Sequence, residues 1–113
     1  MASTLVADIN KACIDACAEC AQACEACAYT YCVNDAAMAD CAWLCLDCAA
    51  ICAACITLLA RGSAWAGRLC QLCADICDAG ADECERFDAE ACRACARACR
   101  TCAKQCRAMA ASA

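Results

Sequence analysis

The chain has no histidine, no proline and only three glycines among its 113 residues. Without histidine there is no imidazole to serve as general base or metal ligand. Without proline, and with so little glycine, little interrupts long helices. Branched and aromatic side chains are also scarce: Val, Ile, Leu and Phe together number fifteen. That share lies below ordinary globular usage and in the range that often marks disorder. Abundant alanine, the absence of proline and a modest charge argue against disorder. A core of branched aliphatics is excluded. A basic region followed by an apolar stretch is missing from Met1–Lys11, so no secretory signal is expected and a cytoplasmic location follows. Charges recur every few positions, so no membrane-spanning run is expected. A net charge of -5 argues against a nucleic-acid partner.

What fills the space is sulfur. Cysteine occurs 20 times. In a secreted chain such density reads as a disulfide framework, but in a reducing compartment it reads as metal binding. A chain of this length makes one domain, expected to span 1–113.

The cysteines fall in four blocks: Cys13, Cys17, Cys20, Cys24, Cys27 and Cys32; Cys41, Cys45, Cys48, Cys52 and Cys55; Cys70, Cys73, Cys77 and Cys84; Cys92, Cys95, Cys99, Cys102 and Cys106. Within each block the steps alternate three and four, with one double step between Cys77 and Cys84. This is a heptad with Cys at both inward positions, one sulfur stripe per helix. Only Cys32 breaks phase. Val6, Asn10, Tyr31, Met38, Leu59, Ala66, Gly80, Phe87 and Met109 occupy the remaining stripe slots. Alanine, the best helix former, lies between the thiols, and charged residues take the other faces.

The spacing predicts helices near 4–32, 36–60, 64–86 and 89–110. Asp35 is expected to cap the second helix, Gly62 and Ser63 to stop that helix and start the third, and Asp88 to cap the fourth. Four such helices with short connections predict an all-α, antiparallel up-down-up-down bundle whose only available interior is the four sulfur stripes. Met38, Phe87 and Cys32 gather at one end, and Val6, Leu59, Ala66 and Met109 at the other. Trp43 and Trp65 fall off the stripes. With Leu44, Leu46, Ile51, Ile56 and Leu58 they point to a subunit contact and a homo-oligomer.

Thiols three or four apart share one helix face. The chain holds seven Cys-x-x-Cys and seven Cys-x-x-x-Cys pairs, and most cysteines belong to two pairs, so thiolates are able to bridge neighbouring metals. Soft thiolates select Cu(I), Zn(II) or iron–sulfur clusters. Zinc and iron–sulfur sites use defined sets of four ligands, which does not account for a continuous rail. One monovalent ion per thiolate is neutral, so multiple Cu(I) ions, up to about one per Cys, fit a low-dielectric tube. Zn(II) or general heavy-metal sequestration stays open as the alternative. All twenty cysteines are candidate ligands, and Met38 offers a thioether at one end. No catalytic residue is expected.

The chain resembles the cytosolic copper storage proteins. The resemblance is carried by Leu46-Asp-Cys-Ala-Ala-Ile-Cys52, Ala60-Arg-Gly-Ser63, Leu72-Cys-Ala-Asp-Ile-Cys77, Asp82-Glu-Cys-Glu-Arg86 and the run from Cys92 to Cys106, with the first helix matching in cysteine spacing. It implies a Cys-lined four-helix bundle, Cu(I) ligation by the core cysteines and a tetramer. Phe87 and Ala91 stand where that family usually carries histidine, and Gly80 where it often carries cysteine.

Overall fold

In the computed structural model, residues 6–112 are described. Four helices account for most of them: α1 (Asp8–Thr30), α2 (Ala39–Arg61), α3 (Ala66–Cys84) and α4 (Glu90–Ser112). The α1–α2 connection is a strap of two 3₁₀ turns, Cys32–Asn34 and Ala36–Met38. The helices form an elongated antiparallel bundle measuring 43 × 26 × 17 Å. The expected first-helix residues 4 and 5 lie outside the described residues.

The helix ends have local causes. After Thr30 the chain leaves α geometry: Tyr31 takes φ -123° and ψ -60°, its N–H closing the last turn on the Cys27 carbonyl. Asn34 Nδ2 reaches back to the Thr30 carbonyl at 3.1 Å. Asp35 differs from expectation: it caps the 3₁₀ turn Ala36–Met38, accepting from the Ala37 N–H at 2.9 Å, while α2 itself starts at Ala39 behind Met38 with no side-chain cap. At the far end of α2, Gly62 adopts φ 65°, its N–H bonds to Leu59 O at 3.1 Å, and the Ser63 N–H reaches Leu58 O at 3.0 Å. This is a Schellman stop, which favours glycine at the left-handed position. The Ser63 hydroxyl then accepts from the Trp65 N–H at 3.1 Å. Asp88 differs from expectation. Its carboxylate takes the Arg93 guanidinium at 2.6 Å, an ion pair across the corner in place of a backbone cap.

Small residues flank the sulfur stripes and let the helices approach: Ala16 and Ala28 on α1, Ala49 on α2, Ala74 and Ala81 on α3, Ala96 and Ala103 on α4 are all buried. The largest fully buried side chain is Leu59. It seals the end where α1 begins, and there Asn10 Nδ2 donates to the Leu59 carbonyl at 3.0 Å. On the outer surface of α3 and α4, Arg100 pairs with Asp78, Asp82 and Glu85, and Arg107 pairs with Asp75 and Asp78. Partial burial would raise the Asp78 carboxyl, but Arg107 and Arg100 outweigh it and hold it below the ordinary carboxylate value. These exposed pairs are each worth little alone.

The expectation that no membrane-length apolar run exists is corrected. The segment Ala36–Arg61 is long and apolar enough to cross a membrane, with a mean hydropathy of 2.1 in its best window. The cause is that alanine and cysteine count as apolar, so Asp40 and Asp47 do not bring the average down. One stripe of this helix is packed inside the bundle, as a core helix requires.

Gly80 is buried in mid-helix. A Cβ there would meet only Cys99 Sγ, at an ordinary 3.8 Å. Gly80→Ala is therefore expected to stabilise the reduced, metal-free protein by about 0.5–1 kcal/mol, read from urea unfolding midpoints.

Candidate metal centre

All twenty cysteines are free and buried. The four stripes turn to one axis, as the heptad demands, and their sulfurs form a continuous tube. No N or O side chain is buried among the described residues. The interior is thus alanine, sulfur and a few apolar side chains at the ends.

The cysteines of α1 and α4 meet as rungs. Cys13 faces Cys106 at 3.7 Å, Cys17 faces Cys102 at 3.7 Å, Cys20 faces Cys99 at 3.7 Å, Cys24 faces Cys95 at 3.6 Å and Cys27 faces Cys92 at 3.9 Å. The two step patterns read in opposite directions are identical, so a single register aligns every pair. On α2 and α3, Cys52 faces Cys73 at 3.7 Å, Cys48 faces Cys77 at 3.1 Å and Cys41 faces Cys84 at 3.4 Å. Gly80 occupies the rung opposite Cys45. Cys45 turns instead to Cys84 at 3.8 Å and Cys95 at 3.7 Å.

Within one helix, the sulfur contacts with hydrogen-bonding geometry join residues four apart: Cys20–Cys24, Cys73–Cys77, Cys95–Cys99 and Cys102–Cys106, at 3.8–4.0 Å. Cys-x-x-x-Cys, rather than Cys-x-x-Cys, brings the sulfurs together. Side chains four apart diverge by about 40° around the helix and those three apart by about 60°, given 3.6 residues per turn.

The rungs combine into cages. Cys27, Cys41, Cys45 and Cys84 form one, Cys20, Cys24, Cys48 and Cys99 another, and Cys20, Cys52, Cys77 and Cys102 a third. Cys17, Cys73, Cys102 and Cys106 form a fourth, followed by the trio Cys13, Cys70 and Cys106. In each group the sulfurs lie within 4.8 Å of one another. With metal–sulfur bonds of about 2.3 Å, a trigonal site needs sulfurs about 4.0 Å apart and a linear site about 4.6 Å. The tube already offers the trigonal spacing. Because Cys20, Cys102 and Cys106 each belong to two groups, neighbouring sites share ligands.

Cys32 is off the stripe yet buried. The reason is the early end of α1: phase counted along a continuous helix does not apply beyond Thr30, and the 3₁₀ turn swings the thiol inward. Its Sγ lies 3.6 Å from Cys27 Sγ. For the same reason Tyr31, expected in a stripe slot, is exposed. Met38 is buried at that end, and Phe87 packs half-buried on the core with the Arg86 guanidinium 5.6 Å from its ring centroid. At the other end Ala66 is buried and Met109 half-buried. Trp43 and Trp65 are exposed.

Protonation varies along the tube. Burial pushes the Cys32, Cys41 and Cys92 thiols up, Cys92 to about 12. Hydrogen bonds from Cys45 and Cys84 hold Cys27 at about 6, and those from Cys102 and Cys13 hold Cys106 at about 6. A low-dielectric interior with no buried cation favours neutral metal–ligand units. One monovalent ion per thiolate leaves no net charge there, as does one divalent ion per two thiolates, so neutrality follows from matching ions to ligands.

Fold and site together define a thiol-lined helical bundle built to hold soft monovalent ions in number. A profile of the copper storage protein family matches residues 6–111, and the chain belongs to that family. Among curated protein sequences, none matches it significantly. Three solved structures illustrate the likeness. The apo form of copper storage protein 3 from Bacillus subtilis is 44% identical with a TM-score of 0.83, covering 88% of this chain and 97% of that one. The Cu(I)-bound copper storage protein BsCsp3 is 42% identical with a TM-score of 0.85, covering 91% and 99%. A cytosolic copper storage protein from Streptomyces lividans, described with five coppers, is 37% identical with a TM-score of 0.83, covering 92% and 93%.

Proposed function

We propose that this chain stores and buffers Cu(I) in the cytoplasm, the whole of 1–113 acting as one metal-holding unit. The observation that carries this reading is the unbroken sulfur tube with no buried nitrogen or oxygen side chain among the described residues. The proposed ligands are the stripe thiols of all four helices together with Cys32, and Met38 adds a thioether at the strap end. Ions are held by bridging thiolates at the rungs, and each thiol that takes copper releases its proton. The protein works by binding and release rather than turnover. A cytoplasmic location fits both the free thiols and the cytosolic description of the Streptomyces relative.

Self-association is part of the proposal. Leu44, Ile51 and Leu58 stand seven apart on one flank of α2, and on α3 Leu69 and Ile76 are half-buried while Leu72 is exposed. Such an apolar face fits a homo-oligomeric contact, and the family resemblance points to a tetramer.

Titrating the reduced protein with Cu(I) against a competing chelator tests the function. Uptake near one copper per thiol, about twenty equivalents, is expected. Saturation at a few equivalents, or Zn(II) retained against Cu(I), would overturn the reading.

A further inference from the structure

We infer that copper is admitted through the side of the bundle at the strap, with Cys32 as the receiving thiol and Cys27 as the next in line. This inference rests on the storage reading above. Four observations converge on it. Only Cys27 and Cys32 keep residual exposure, 1% each, while the other eighteen thiols are at 0%. The two touch at 3.6 Å. Cys32 also forms part of the wall of a surface cavity of about 500 Å³ between the strap and α2, with Asn34, Asp35, Ala39, Trp43 and Leu46. Four other surface cavities have no thiol in their walls. Finally, apolar side chains stand at both bundle ends, Leu59 with the Asn10 hydrogen bond at one and half-buried Phe87 with Arg86 at the other.

The cavity has the size of a small-molecule site. It has room for a cuprous ion arriving on a small thiol carrier, held between two thiolates with net charge −1. At the first exchange, Cys32 sulfur bonds copper and the Cys32 proton leaves with the displaced carrier as a neutral thiol. Cys27, ionised near neutral pH, then bonds copper as the second carrier leaves as its thiolate, so copper lies between Cys32 and Cys27. Cys92, 3.9 Å beyond Cys27, then bonds copper and passes its proton to the departing Cys32 sulfur. The port is left neutral and ready. The two-coordinate copper unit carries −1 at every stage and copper remains cuprous, so no oxidant or reductant is needed. The port requires that the subunit contact take the Leu44–Ile51–Leu58 flank and leave Trp43 and Leu46, which wall the cavity, uncovered.

The test is the rate of copper uptake from a cuprous complex with excess glutathione, followed by the ultraviolet thiolate-to-copper absorption. Compared are the reduced full-length protein, Cys32→Ala, Ala39→Phe and Ala64→Phe. Cys32→Ala is expected to slow uptake at least tenfold while lowering capacity by no more than one or two ions. Ala39→Phe fills the cavity and keeps every thiol, so it is expected to slow uptake similarly at full capacity. Ala64→Phe, beside a cavity without thiols at the opposite end, is expected to match the unmodified protein. Unmodified rates in both Cys32→Ala and Ala39→Phe would overturn the port and leave storage standing. Failure of the unmodified protein to load would overturn storage and the port together.

Discussion

Cys20→Asp is expected to cost the metal-free bundle about 3–5 kcal/mol near neutral pH, a large part of the stability of a domain this size. Cys20 is fully buried and touches sulfur on all sides: Cys24, Cys48, Cys77 and Cys99 lie 3.5–4.0 Å away. None of these thiols is a strong donor, and no cation is buried among the described residues. A carboxylate there must either stay ionised without a partner or take up a proton. The second route gives the prediction its sign: its native pKa is raised, so the loss is smallest in acid and grows as pH rises. Cys20→Ala removes one sulfur and adds no charge, and is expected to cost much less. Urea unfolding of the reduced proteins at pH 4 and pH 7.5 distinguishes them. Equal stability of Cys20→Asp and the unmodified protein at pH 7.5 would show that the interior is wetter or more polar than the structure implies.

Acid is expected to release the copper. A buried thiol that loses one proton for each ion it binds loses about tenfold in apparent affinity per pH unit, wherever it is protonated in the metal-free state. Cys32, Cys41 and Cys92 are pushed up by burial, so their share of the affinity rises with pH throughout the neutral range. Between pH 7.5 and 5.5 their sites are expected to weaken by about a hundredfold. Cys27 and Cys106, held at about 6 by donated hydrogen bonds, respond little above that value and strongly below it. Competition with a chelator across this range, combined with proton release in weakly buffered solution, measures both quantities. Retention independent of pH, with no protons released on loading, would contradict displacement of thiol protons by metal.

Most of the fold is legible in the sequence because one residue type marks the interior. The alternating three- and four-residue steps set the helices and their inward faces. Reversing the α4 pattern onto α1 even yields the rungs, since Cys13 to Cys27 and Cys106 to Cys92 descend by the same steps. What periodicity does not deliver is anything decided off the helix. Cys32 is out of phase only if α1 continues, and Thr30 with Tyr31 ends it. Asp88 has the chemistry of a cap, but Arg93 five residues on competes for the carboxylate. The preference for four-residue over three-residue sulfur contacts lies in side-chain direction, which spacing alone does not encode. Hydropathy misleads over Ala36–Arg61 because it scores cysteine and alanine without regard to the partner helices that bury one stripe of them.

With entry at the strap, fully buried Leu59 and the Asn10 hydrogen bond to its carbonyl would make the far end of the tube blind. A blind vessel keeps a chronology. Atoms taken up earliest would lie deepest beside Cys13 and Cys70, and those taken up latest nearest the strap. Filled in succession with two copper isotopes, such a vessel would return the newer one first, so the age of the cargo, as much as its affinity, would set the order in which a starved cell recovers it.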